Sequence, residues 1–89
     1  MKRDTFGLRA WAGSVVQMLE PHQHDEIELN YVLEGELQYS FGGHERTLLA
    51  GQWMTFWGAW PHHVTHSPPE TRCVWVTLPF ATYFALFHA

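Results

Sequence analysis

The chain has 89 residues, enough for a single domain with one core that buries roughly 60–68% of its unfolded surface. With 46% hydrophobic and only 16% charged residues it is too apolar for a disordered chain, yet no apolar run approaches the roughly 20 residues of a membrane span, and residues 1–9 lack the apolar stretch of a secretion signal. Five Lys and Arg against nine Asp and Glu leave a formal net charge of −4, so direct nucleic-acid binding is not expected, because phosphate neutralisation needs clustered cations.

Glycine and proline punctuate the chain at Pro21, Gly35, Gly42-Gly43, Gly51, Gly58, Pro61, Pro68-Pro69 and Pro79. Short segments between frequent turn signals predict an all-β fold. Residues 12–19 read as a first strand. Residues 26–34 alternate, with Ile27, Leu29, Tyr31 and Leu33 on one parity and Glu26, Glu28 and Asn30 on the other, the pattern of a half-buried strand. Residues 37–41 form the next strand, Gly42-Gly43 a hairpin turn, and residues 46–49 the return. Residues 52–57 are a buried strand, 58–61 a turn, and 62–66 a short extended piece. Residues 72–78 are the last strand, with Cys73 a small buried hydrophobe. As the sole cysteine, it excludes an intrachain disulfide and a cysteine-based metal site, in keeping with a cytoplasmic location.

The ending differs. Phe80, Tyr83, Phe84 and Phe87 fall at i, i+3, i+4 and i+7, one face of a helix that Pro79 can start. That face is too apolar to stand alone in water. It is expected to fold back on the sheet, to dock on another subunit, or to belong to a longer protein, and the ending reads as a truncation or an oligomer contact.

Seven histidines are present, five of them in two short stretches. His22, His24 and Glu28 are all even-numbered. On one continuous strand they project to one side, which gives two imidazoles and a carboxylate, a set that a divalent transition metal accepts with room for exogenous ligands. His62, from a separate strand, can supply a fourth ligand and so couple metal binding to folding. The metal can be Fe, Mn, Ni, Zn or Cu. His66 shares the parity of His62 and is expected in the same cavity or behind a ligand. Asn30 is a candidate polar pocket group, and Trp57 and Trp60, beside the His62 turn, are candidate pocket walls. Glu26 reads as a strand-edge carboxylate, and His44 as a solvated turn residue.

These residues resemble the cupin superfamily. His22-x-His24, three residues, Glu28, six residues and Gly35 match the first cupin motif, although Val16 stands where that motif begins with Gly. Gly51 and His62 match the spacing of the second motif, with Trp57, Ala59 and His66 in place of its Pro, Gly and Asn. The resemblance implies a small double-stranded β-helix, a jelly-roll barrel, with His22, His24, Glu28 and His62 as metal ligands. The stretches 21–35, 41–43, 48–51 and 56–62 also look like the amino-terminal sensor domain of AraC-type transcription regulators. That implies a single cupin domain over residues 1–89, a fragment of a longer regulator without its DNA-binding module, which binds a small-molecule ligand and forms a homodimer. Two other readings compete: a stand-alone cupin metalloenzyme of dioxygenase or isomerase type, and an oligomerisation module with a vestigial site.

Overall fold

The computed structural model describes residues 2–15 and 21–87. Nine strands and one helix follow in chain order: β1 Lys2–Asp4, β2 Arg9–Ser14, β3 His22–His24, β4 Ile27–Glu34, β5 Glu36–Phe41, β6 His44–Leu49, β7 Trp53–Trp57, β8 His62–His66, β9 Arg72–Leu78 and α1 Phe80–Phe87. One sheet has the order β1-β3-β8-β5-β6 and the other β2-β9-β4-β7. Only β1 with β3 is parallel; every other pairing is antiparallel. Apart from the β5–β6 hairpin, successive strands pass from sheet to sheet, as in a jelly roll.

Alternation decides which side chains turn inward. On β4, Glu28, Asn30 and Val32 are buried; on β5, Leu37 and Tyr39; on β8, His62 and Val64; on β9, Cys73, Trp75 and Thr77. The registers Glu28↔Thr77, Asn30↔Trp75 and Val32↔Cys73 stack these residues in layers. One end of the interior is apolar. There Val32, Leu37, Tyr39, Leu48, Val64, Cys73 and Trp75 make the core, with Trp11, Val15, Phe41 and Met54 packed against it. Each large apolar side chain so buried contributes roughly 1.5–3 kcal/mol. The other end holds His24, Glu28, His62 and Thr77.

The β5–β6 hairpin turns through Gly42 and Gly43, both at positive φ (56° and 92°), as a two-residue loop of this kind requires.

Two expectations change. Residues 12–19 were expected as a strand; β2 instead spans Arg9–Ser14, held along β9 from Arg9↔Thr77 to Ser14↔Arg72, and residues 16–20 lie outside the described part. The run from His22 to Glu28 is not one strand. The chain bends at Asp25 and Glu26, so that β3 joins one sheet and β4 the other. Backbone bonds from His24 N to Gly58 O and from Gly58 N to Glu26 O, both 2.9 Å, hold this corner. The helix predicted from the Phe80–Phe87 pattern forms as α1; it buries none of its residues, and Phe80 packs against Trp57 with centroids 6.1 Å apart. No helix among the described residues is long and apolar enough to cross a membrane.

Candidate metal and ligand site

β3 and β8 meet at a single register pair, His22↔His62. That pairing sets the two imidazoles side by side, with centroids 4.4 Å apart. His24 lies two residues further along β3, fully buried, its ring 5.2 Å from that of His62. One nitrogen from each of the three rings falls within 4.8 Å of the others. Glu28 enters from the opposite sheet, its Oε1 2.8 Å from His24 Nε2 and 3.7 Å from His62 Nε2. One sheet thus brings three imidazoles together, and the other sets the Glu28 carboxylate beside two of them, His24 and His62.

The tautomer of His62 follows from its surroundings. Its Nδ1 lies 2.6 Å from the carbonyl oxygen of Trp60. A carbonyl only accepts, so Nδ1 carries the proton and donates it. Nε2 is buried and without a hydrogen-bond partner among the described residues. A ring fixed by a backbone carbonyl on one nitrogen, with the other nitrogen bare, is the posture of a metal-ligating histidine. The donors are borderline nitrogens plus a hard oxygen, and this set fits a divalent transition ion.

Burial pushes the Glu28 carboxyl up, but the imidazoles of His24 and His62 and the amide of Asn30 outweigh it and hold the group at about 2. Asn30, fully buried, donates from Nδ2 to Glu28 Oε2 at 2.9 Å and also to the Tyr39 hydroxyl. Tyr39 in turn is pushed well above the usual phenol range, by burial first and by the Glu28 charge second. A neutral phenol and a neutral amide therefore back an ionised carboxylate. Because the folded carboxyl titrates below its ordinary 4.5, Glu28 stabilises the fold above that pH and loses the contribution as pH falls toward 2. In chelator-treated protein, the stability difference between the parent and Glu28→Gln is expected to shrink by on the order of a few kcal/mol across that window. Urea unfolding at stepped pH measures it, and a difference that grows on acidification would contradict the assignment.

Glu26, expected at a strand edge, is buried instead. Its Oε1 lies 3.1 Å from His24 Nδ1, and its Oε2 accepts from the backbone N–H groups of Gly7 and Phe6 at 3.0 and 3.3 Å. It connects the ring of His24 to the segment before β2, where Phe6 packs edge-on against His24 at 5.1 Å. The sequence carried one signal of this: Glu26 shares parity with Glu28. Replacing Glu26 by Gln is expected to weaken metal binding by roughly tenfold or more, the usual cost of losing an outer partner of a ligating histidine. A competition titration against a chromophoric chelator reads it. Gly58 was also missed as a site residue. It is buried against His24, and a Cβ there would overlap the imidazole.

The remaining predicted residues divide. His66 is exposed at the far end of β8, paired with Gln38 beside a bulge that shifts the register; shared parity with His62 does not bring it into the site. Trp57 points out of the barrel, half exposed, against α1, because β7 alternates and its inward residues are Met54 and Phe56. Trp60 is largely exposed and lines a cavity on the β6–β7 side. His22 and Glu28 open on a different cavity of about 210 Å3, bounded by Phe6, Trp11, Val64 and Trp75.

Two facing sheets in this strand order, with a histidine cluster at the polar end of the interior, define a double-stranded β-helix of the cupin class. The family model for the cupin domain matches residues 14–79, and the chain belongs to that family. It is similar to a cupin protein from Bacteroides fragilis at 14% identity, over 86% of this chain and 70% of that one, with a TM-score of 0.69. An HTH_3 family transcriptional regulator from Vibrio cholerae is 25% identical over 82% of this chain, which spans only 44% of that regulator, with a TM-score of 0.60. The cupin domain of an XRE family transcriptional regulator from Enterobacter cloacae is also 25% identical, over 81% of this chain and 70% of that one, with a TM-score of 0.55. No curated protein matches the sequence.

Proposed function

We propose that this cupin domain is the small-molecule-sensing part of a transcription regulator and that it holds a divalent transition metal on His22, His24, Glu28 and His62. The observation that carries the metal half is the buried Nε2 of His62, without a hydrogen-bond partner among the described residues and facing Glu28 at 3.7 Å beside the rings of His22 and His24. The regulator half is supported by the two similar structures that are regulators by name. The finer AraC-type assignment rests on the sequence wording around residues 21–35 and 56–62. Metal analysis of protein purified without chelator, followed by titration with Zn2+ and Mn2+, tests the site. One ion per chain is expected; none in either experiment would remove the metal reading.

The same proposal includes a homodimer. Phe80, Phe84, Leu86 and Phe87 of α1 are exposed, and Trp53 and Trp57 are exposed on β7. Apolar surface gathered in this way favours association over solvation. Sedimentation at micromolar concentration is expected to give a dimer that Phe84→Glu dissociates, and a monomeric parent protein would count against the pairing.

A further inference from the structure

A second cavity, of about 630 Å3, lies between the β5–β6 hairpin and β7. It occupies the side where β6 and β7 are the edge strands of their sheets. Its size falls within the roughly 300–1,000 Å3 of small-molecule sites. It shares no lining residue with the cavity onto which His22 and Glu28 open. Phe41, Leu48, Met54 and Phe56 form its apolar walls.

The polar groups are unequal in sign. Arg46 and His44 line the cavity, with Thr47 and Thr55, and no Asp or Glu does. In a chain with formal charge −4, a concave apolar surface that carries a guanidinium and no acid favours an anion. Arg46 gives one hydrogen bond from Nη1 to the backbone oxygen of Glu45 at 2.9 Å, and a guanidinium has five donors in a planar fork that suits a carboxylate. The cavity also reaches the metal cluster indirectly. Phe41 and Phe56 pack on the ring of His62 at 6.1 and 4.7 Å, and Trp60, whose carbonyl fixes that ring, is a lining residue.

We infer that this cavity binds a small aromatic carboxylate, its ring among Phe41, Met54 and Phe56 and its carboxylate on Arg46. The inference rests on the sensor reading and deepens it, naming the place and chemical class of the sensed molecule. An occupant here would press on the residues that orient His62, which links ligand to metal without shared contacts.

The test is calorimetric titration of the 89-residue chain, in excess EDTA, with 2-naphthoate and with the neutral 2-naphthalenemethanol. Saturable binding of one naphthoate per chain is expected, about tenfold tighter than the alcohol, as one charge-assisted contact provides. Arg46→Gln, at an exposed position, should erase that preference and leave alcohol binding unchanged. Met54→Trp, which fills the cavity, should abolish both, with circular dichroism confirming that the variant is folded. Absence of saturable binding, equal affinity for acid and alcohol, or naphthoate binding that survives in folded Met54→Trp would overturn the inference. Chelator keeps the two proposals apart: naphthoate binding by a chain that takes up no metal supports the cavity while removing the metal site.

Discussion

Replacing His62 by Ala will lower the affinity for a divalent transition ion by on the order of a hundredfold or more, beyond the usual cost of losing an outer partner, whereas His44→Ala will leave it unchanged. The two histidines differ in everything a metal senses. His62 is fully buried, with Nδ1 donating to Trp60 and Nε2 bare beside Glu28. His44 is exposed at the start of β6, on the opposite side of β5 from β8. His22→Ala should behave like His62→Ala, since the register pair His22↔His62 is what places two of the rings together. Chelator competition with Zn2+ at constant pH measures all three variants. Equal losses in all three would sink the ligand assignment.

Gly35→Ala will destabilise the fold by about 3 kcal/mol, and Gly51→Ala by about 1. Both glycines sit at positive φ, +79° and +85°, where any Cβ costs roughly 1–2 kcal/mol. They differ in what surrounds them. A Cβ on Gly51 meets nothing within 4 Å. One on Gly35 would overlap Thr71 Oγ1 and lie 2.8 Å from the Thr71 Cα. Thr71 cannot step aside, because it is buried and its hydroxyl both donates to Glu36 O and accepts from Glu36 N, at 3.1 and 3.3 Å. The overlap therefore falls on backbone, and overpacking adds about 1–3 kcal/mol to the torsional cost. Urea unfolding of the two variants gives the difference directly. Similar values for both would mean that the Gly35–Thr71 approach is looser than described.

The candidate site was legible because its residues recur at a set spacing. His22, His24 and Glu28, with Gly35 seven residues beyond and His62 eleven after Gly51, are picked out with no knowledge of the sheets, although the single strand on which their parity was read is two strands in different sheets. The hairpin at Gly42-Gly43 and the helical face from Phe80 to Phe87 were legible for the same kind of reason, since each is a local pattern. Glu26 was not. Whether a carboxylate before a strand faces solvent or a histidine ring depends on a corner held by Gly58, more than thirty residues away. Nor was the direction of Trp57, which follows from β7 lying at a sheet edge with Met54 and Phe56 turned in.

By itself the sequence determined the class of fold, the short strands, and which residue types gather at each parity, because period, glycine and proline act over a few neighbouring residues. Only the tertiary structure decided that the polar parity of β4 faces inward while Ile27, Leu29 and Tyr31 lie on its outer side. It alone separated His24 and Glu28 onto opposite sheets, and it alone opened a cavity around Arg46. A period of two states that neighbouring side chains oppose each other. Which of the two sides is covered depends on the sheet stacked against it, and that sheet is assembled from strands distant in the chain.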